Sequence, residues 1–157
     1  MLWKKRQTDK PVILIVCTGN SCRSQIAEGL VRERFGDRAR VYSAGSSPSG
    51  VVHPMAIEVM KEIGINIRRQ KSQHWEDLNV DDYDLIVTVC DNADEECPLV
   101  PSEKGFRMHI PFSDPIHARG STEKIRQTFR ETREQITEEL LPEVEAWLDD
   151  YYEKKKE

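Results

Sequence analysis

The sequence lacks a long hydrophobic run, an excess of basic charge and an internal repeat. Its 157 residues carry a formal net charge of −5, and the basic residues are scattered, so no binding to nucleic acid is predicted. Lys4, Lys5 and Arg6 are followed by only five strongly apolar residues before Cys17. That run is too short for a membrane span or a secretory signal core. We therefore expect a cytoplasmic protein that binds neither nucleic acid nor a membrane.

Cysteine and histidine are also scarce, with four of each in the chain. In a reducing compartment, four cysteines are more often catalytic or metal-binding than joined in structural disulfides. The histidines do not show the spacing of metal ligands, so we predict no metal site from them. The cysteines are Cys17, Cys22, Cys90 and Cys97, and the histidines are His53, His74, His109 and His117.

The length and composition fit one compact domain over residues 1–157. We expect residues 1–9 to form an N-terminal extension, residues 153–157 to fray, and the chain to act as a monomer. Hydrophobic patterning predicts alternating strands and helices. The predicted strands cover residues 12–16, 41–44, 85–89 and 107–110. The predicted helices run from Ser24 to before Gly36, from Pro54 to Gly64, and over 125–148, where Pro142 predicts a kink or a fresh helix start.

This order of elements predicts an α/β fold with three layers, in which helices cover both faces of a central, mainly parallel, four-stranded sheet. Ligands of such sheets bind at the carboxyl ends of the strands. Cys17 and Cys90 each follow a central apolar strand. We therefore expect them to face the same crevice although they are far apart in the sequence.

The strongest chemical signal is the loop from Cys17 to Ser24. Its backbone N–H groups can converge on a tetrahedral oxyanion at the start of a helix, and Arg23 can hold two oxygens of that anion at once. A helix N-terminus and a nearby arginine favour the thiolate form of Cys17, which is the nucleophilic form. The alternative is a buried structural cysteine before an ordinary turn. The predicted oxyanion-binding residues are Thr18, Gly19, Asn20, Ser21, Cys22, Arg23 and Ser24, with Cys22 contributing mainly its backbone.

The Cys17–Ser24 loop has the C-x5-R-S pattern and resembles the low-molecular-weight tyrosine phosphatase superfamily, and within it most closely the thioredoxin-coupled arsenate reductases. The resemblance extends from about Lys10 to Ile136. It implies the fold of that superfamily. The further matching segments are Ser24–Gly29, Tyr42–Gly45, Gly64–Ile67, Val87–Ala93, Cys97–Pro98 and Phe112–Pro115.

Cys90 and Cys97 separate a reductase from a phosphatase. The loop can hold either arsenate or phosphate, but thiols reduce As(V) and do not reduce P(V). A reductase therefore needs a source of two electrons, which a second thiol supplies by attacking the sulfur of Cys17. A third thiol can then accept the disulfide. The alternative is two unrelated cysteines in a surface loop.

A helix over residues 90–97 would place the two Cα atoms roughly 10 Å apart, whereas a disulfide tolerates no more than about 7 Å. The intervening residues are polar and acidic, so unwinding them would expose little core. We therefore predict that this segment loops out and presents a Cys90–Cys97 disulfide to an external reductant, which the resemblance implies is thioredoxin or a similar dithiol protein.

Asp114 precedes Pro115 and is the candidate general acid, because its carboxyl group can protonate the departing oxygen. An Asp-Pro pair is by itself more often a turn. The phosphatases of this superfamily have a tyrosine soon after the pair, but here Ile116, His117 and Ala118 follow. This difference removes part of a phosphotyrosine platform and favours the reductase.

Some related reductases bind potassium beside the loop. Asn20, Glu28 and Ser43 match three of those positions, but Lys71 and Gln73 stand where threonine and aspartate are expected. The ammonium group of Lys71 could replace the ion, so we expect no potassium requirement and no bound cofactor.

The sequence thus predicts an arsenate reductase with Cys17, Arg23, Cys90, Cys97 and Asp114 as catalytic residues and arsenate as substrate. One alternative is a low-molecular-weight protein tyrosine phosphatase. The other is a zinc-binding or redox-sensing module that uses the four cysteines. Zinc knuckles have shorter spacings, and an arginine beside the site disfavours a dication.

Overall fold

The structure is a computed structural model that describes residues 10–91 and 97–156. The predicted N-terminal extension and most of the predicted looping segment, residues 92–96, lie outside the described residues. The strands are β1 (Val12–Cys17), β2 (Arg40–Gly45), β3 (Leu85–Thr88) and β4 (Phe106–His109). The α-helices are α1 (Arg23–Phe35), α2 (Pro54–Lys61), α3 (Thr122–Glu139) and α4 (Leu141–Lys155). Two short 3-10 helices span Trp75–Asp77 and Pro115–His117.

The four strands form one wholly parallel sheet in the order β2-β1-β3-β4. The predicted α/β class and the parallel four-stranded sheet are therefore confirmed. Strand β1 is buried along its whole length, as expected for an unbroken apolar strand in the middle of a parallel sheet. The pairing of β1 with both β2 and β3 makes β1 the point where the strand order reverses.

Alternate residues of β1 point to opposite faces of the sheet. Ile13 and Ile15 lie in a large core cluster that includes side chains from all four α-helices. Leu14 and Val16 belong to a second cluster with Tyr83 and other side chains from the 3-10 helix and the loops. The α-helical layer therefore lies on one face. On the second face, where the sequence also predicted helices, the described residues form a 3-10 helix and extended segments.

The predicted long C-terminal helix is two helices. Pro142 lies in the first turn of α4, where its missing N–H leaves no hydrogen bond unmade, so the fresh start is the correct alternative. Helix α4 continues to Lys155, three residues into the segment predicted to fray. No helix of the described chain is long and apolar enough to span a membrane.

The sheet register brings the functional segments together. Val16 of β1 pairs with Thr88 of β3, and the N–H of Val89 donates to the carbonyl oxygen of Val16 (3.0 Å). The residues that follow, Cys17 and Cys90, therefore leave neighbouring strands at the same edge. This edge is the carboxyl edge beside the point of strand reversal, where ligands of such sheets bind.

An ion-pair cluster joins α3 to the end of α2. Arg130 Nη2 lies 2.7 Å from Glu62 Oε2, and Arg133 Nη1 lies 2.9 Å from Glu62 Oε1. Arg133 also donates to the carbonyl oxygen of Val59 (2.7 Å). The hydrogen bond from Arg130 is the main reason why the pKa of Glu62 falls to about 2.

We predict that Glu62→Gln lowers the free energy of unfolding by about 1 kcal/mol at neutral pH. The variant loses the ion pairs to both Arg130 and Arg133, and one such surface pair contributes less than about 1 kcal/mol. A carboxyl group whose pKa is lowered in the folded state stabilises the fold above its unfolded pKa. The difference between variant and wild type should therefore shrink as the pH falls from about 4.5 towards about 2. Urea unfolding across this range measures it. Glu138→Gln is the control, since Glu138 is exposed on α3, and a pH-independent difference at Glu62 would contradict the prediction.

Candidate active site

Cys17 ends β1 and begins the loop that leads into α1. Its side chain is 2% exposed. The sulfur contacts Ser24 Oγ at 2.9 Å, and the N–H of Asn20 donates to it at 3.2 Å. The cysteine sulfur therefore lies at the base of the loop with two hydrogen-bonding neighbours.

The loop carbonyls point outwards. Those of Thr18, Gly19 and Ser21 accept hydrogen bonds from the N–H groups of Ser47 (3.0 Å), Ser49 (2.9 Å) and His53 (3.0 Å). In a planar trans peptide the following N–H points the opposite way from the carbonyl. The N–H groups on the opposite side of these peptides therefore face the loop interior, as the bond from Asn20 to Cys17 shows.

Gly45 at the end of β2 lets this outer segment approach the loop. A β-carbon at position 45 would overlap the carbonyl oxygen of Thr18. The Gly45 N–H donates to the carbonyl oxygen of Gln73 (2.8 Å). A side chain here would displace the loop backbone, so the small residue is needed for close approach.

Asn20 has the left-handed backbone (φ 48°) at the turn of the loop. Its Oδ1 accepts from the backbone N–H of Gln73 (2.9 Å), which can only donate, and this fixes the orientation of the amide. Nδ2 then donates to Ser24 Oγ (2.7 Å) and to Ser43 Oγ (2.9 Å). Because Ser24 Oγ accepts from Asn20, its own proton is left for the sulfur of Cys17.

Arg23 is 2% exposed at the start of α1. Its Nη1 donates to the carbonyl oxygen of Phe112 (3.1 Å), and its Nη2 lies 3.2 Å from Asp114 Oδ2. The other Asp114 oxygen accepts from the N–H of Ile116 (3.0 Å). The structure thus brings Cys17, Arg23 and Asp114 together from the carboxyl ends of β1 and β4.

Cys22 is as deeply buried as Cys17, but the neighbour of its sulfur is the Ser21 hydroxyl at 3.6 Å. It is 3% exposed and packs in the large core cluster. Burial is the main cause that raises the pKa of Cys22 to about 12. Cys22 therefore stays a thiol at neutral pH and is not a nucleophile there.

Cys90 and Cys97 are joined in a disulfide, with Cα atoms 5.8 Å apart, well short of the roughly 10 Å that a helix would give. Cys90 is fully buried, whereas Cys97 is partly exposed beside a groove that is also lined by Leu99 and Met108. Cys17 and Cys22 are free. Within residues 10–91 and 97–156, no three histidine, cysteine or acidic side chains are grouped as a metal site requires.

Glu28 lies beneath the loop, 5% exposed. Its Oε1 accepts from Ser43 Oγ, and its Oε2 accepts from Arg32 Nη2 at 2.6 Å. Burial raises the pKa of Glu28, and the charge of Arg32 opposes that rise. Lys71, by contrast, is exposed, and its carbonyl oxygen accepts from Gln25. Arg32 and not Lys71 is therefore the cation at Glu28.

A cation of the protein itself, the Arg32 guanidinium, lies at Glu28. Both Glu28 oxygens and the Asn20 Oδ1 already accept hydrogen bonds, and the Arg32 guanidinium would repel a second cation at the same carboxylate. The sequence reasoning missed Arg32, Gln25 and Gln70 as parts of the site. Only Arg32 had a signal, its position four residues after Glu28 on the same helix.

Comparison with known proteins gives consistent matches. A family model described as low molecular weight phosphotyrosine protein phosphatase matches residues 12–154. An arsenate reductase from Halalkalibacterium halodurans is 45% identical over 128 residues, 82% of this chain and 91% of that protein. A solved arsenate reductase in the oxidized state has a TM-score of 0.66 and 30% identity, covering 89% of this chain and 98% of that one. A thioredoxin-dependent arsenate reductase from Corynebacterium glutamicum has a TM-score of 0.56 and 25% identity, covering 87% of this chain and 63% of that one.

We predict that Ser24→Ala slows alkylation of Cys17 by iodoacetamide about tenfold at neutral pH, since a hydrogen bond to a charged sulfur is lost. The disulfide-bonded protein is used so that Cys90 and Cys97 do not react. Mass spectrometry of the peptides assigns the label. Ser21→Ala is the matched control, because its hydroxyl contacts the Cys22 sulfur (3.6 Å), and equal slowing in both variants would refute the role of Ser24.

Proposed function

The chain belongs to the low molecular weight phosphotyrosine protein phosphatase family and is an enzyme of its arsenate reductase branch, and on that premise we propose that it reduces arsenate to arsenite through a relay of three thiols. The observation that carries this proposal is the disposition of the cysteines. Cys17 is unpaired inside an oxyanion loop, and the Cys90–Cys97 disulfide leaves the adjacent strand at the same edge of the sheet.

In the first step the loop N–H groups and Arg23 bind the arsenate oxygens. The thiolate of Cys17 attacks the arsenic atom and forms an S–As(V) bond. Asp114, within hydrogen-bond distance of Arg23, protonates the departing oxygen, which leaves as water. The fixed geometry of these groups supports the proposal, because catalysis by a bound nucleophile requires alignment with the reacting atom.

In the second step Cys90 attacks the sulfur of Cys17. The S–As bond breaks, its electron pair remains on the arsenic, and As(V) becomes As(III), which leaves as arsenite. The two thiols are oxidised to a Cys17–Cys90 disulfide. Cys97 then attacks Cys90, releases the Cys17 thiolate and forms the Cys90–Cys97 disulfide. The disulfide in the structure corresponds to this last state of the cycle.

A thioredoxin-type dithiol protein completes the cycle in the proposal, by reducing this disulfide in the cytoplasm. Its thiolate can reach only an exposed sulfur. Cys90 is fully buried, whereas Cys97 is partly exposed beside an apolar groove next to Leu99, which is 78% exposed. We therefore propose that the reductant attacks Cys97, which leaves Cys90 as the departing thiolate.

We predict that arsenate-dependent consumption of NADPH, measured with thioredoxin and thioredoxin reductase, is lost in both Cys90→Ser and Cys97→Ser. The two variants should differ in a single turnover. Cys97→Ser should release arsenite once and stop as a Cys17–Cys90 disulfide, whereas Cys90→Ser should release none. Arsenite analysis and peptide mass spectrometry distinguish these states. Repeated turnover in Cys97→Ser would refute the three-thiol relay.

The same preparations test the phosphatase alternative. If wild type hydrolyses an aryl phosphate through Cys17 but consumes no NADPH with arsenate, the protein is a phosphatase and not a reductase. If wild type reduces arsenate and the Cys90→Ser variant still hydrolyses the aryl phosphate, the hydrolysis is a side activity of the same loop.

We predict that Asp114→Asn slows the first chemical step on the order of a hundredfold, because the amide cannot protonate the departing oxygen. Rapid-quench measurement of one turnover isolates this step. Asp81→Asn is the control, since Asp81 is exposed and lies before β3, at the amino ends of the strands. An unchanged rate for Asp114→Asn would reject its role as the acid.

A further inference from the structure

Arg32 begins two chains of hydrogen bonds that both end on Asn20, the residue that contacts the sulfur of Cys17. We infer that Arg32 is a positioning residue that sets the hydrogen bonds of the nucleophile. Its side chain is 45% exposed on the last turn of α1, far along the helix from Cys17. The inference rests on the proposed function only in taking Cys17 as the nucleophile.

The first chain runs through Glu28 and Ser43. Arg32 Nη2 donates to Glu28 Oε2 at 2.6 Å, and the other Glu28 oxygen accepts from the Ser43 hydroxyl. Since Ser43 has donated its only proton, its oxygen accepts from Asn20 Nδ2 (2.9 Å). The same Asn20 amide donates to Ser24 Oγ (2.7 Å), which leaves the Ser24 proton for the sulfur.

The second chain runs through two glutamines. Arg32 Nη1 donates to Gln70 Oε1 at 3.1 Å, so the Gln70 amide turns its Nε2 towards Gln25. That Nε2 donates to the Gln25 Oε1 (2.9 Å) and to its carbonyl oxygen (3.0 Å). The Gln25 Nε2 therefore faces the loop and donates to the carbonyl oxygen of Asn20 (2.9 Å).

Both chains have one direction because they begin at a group that can only donate. A guanidinium has no acceptor, so Arg32 requires the oxygen of the Gln70 amide and thereby orients that amide. The charge of Arg32 also opposes the rise that burial causes in the pKa of Glu28, and an ionised Glu28 can only accept the proton of Ser43. Without it, the Gln70 amide can turn over, and the Ser43 hydroxyl can rotate away from Glu28. Both changes displace Asn20, whose N–H donates to the Cys17 sulfur and whose side-chain amide donates to Ser24 Oγ. Arg32 also donates to the carbonyl oxygen of Val41, which fixes it to β2.

The test measures alkylation of Cys17 by iodoacetamide at several pH values, in the disulfide-bonded protein and without arsenate. We expect Arg32→Met to slow the reaction about tenfold at neutral pH and to move the midpoint of its pH profile upwards. Arg32→Lys should recover part of the rate. An ammonium group donates hydrogen bonds, but it lacks the two planar, rigidly spaced NH2 groups of a guanidinium.

Arg34→Met is the matched control. Arg34 is also exposed in the last turn of α1, so its removal changes the helix dipole interaction equally but leaves both chains intact. A rate in Arg32→Met equal to that of Arg34→Met would overturn the inference, as would the same loss in Arg32→Lys and Arg32→Met. Should Arg32→Met fail to fold, Arg32→Gln removes the charge and the guanidinium geometry while keeping an amide donor. An alkylation rate of Cys17 equal to that of wild type in Arg32→Gln would overturn the inference.

Potassium provides an independent arm of the experiment. With the guanidinium at Glu28, replacing sodium chloride by potassium chloride should leave the alkylation rate of wild type unchanged. A rise with potassium alone would overturn the role of Arg32 as the cation of the site. None of these measurements needs arsenate turnover, so failure of the inference remains distinguishable from failure of the proposed function.

Discussion

The left-handed backbone of Asn20 is the constraint on which the oxyanion loop depends. That conformation is costly for a residue other than glycine and persists because each polar group of Asn20 has a partner. Its N–H donates to the Cys17 sulfur, and its carbonyl oxygen accepts from Gln25 Nε2. Its amide is held between Ser24, Ser43 and the backbone of Gln73. The position of the nucleophile is thus set by polar groups beneath the loop as much as by the loop itself.

The parallel sheet determines how the chemistry is arranged in space. Cys17 and Cys90 leave adjacent strands at one edge, and Asp114 follows the next strand along. Exposure then increases along the proposed relay, from buried Cys17 and Cys90 to partly exposed Cys97. In the proposed relay, the two sulfurs that act on arsenic are therefore buried, and the sulfur that meets the reductant is the partly exposed one.

Features that depend on spacing along the chain could be predicted from the sequence. The strand before Cys17, the loop up to Ser24 and the placement of Asp114 follow from local patterns and from family resemblance. The roles of Gln25 and Gln70 could not be predicted, because their hydrogen bonds join segments 45 residues apart and glutamine has no characteristic spacing. Pro142 was ambiguous for another reason: a proline within a helix and one in the first turn of the next helix give the same sequence pattern.

The segments that hold the loop come from widely separated parts of the chain, and this affects synthesis. Translation delivers the N-terminal residues first, so Cys17 leaves the ribosome long before Phe112 and Asp114, the partners of Arg23. Until those residues arrive, Arg23 lacks the contacts that fix it in the site. In an unfinished chain Arg23 therefore has no fixed position from which to hold an anion, and the complete oxyanion site exists only in molecules whose translation has passed Asp114.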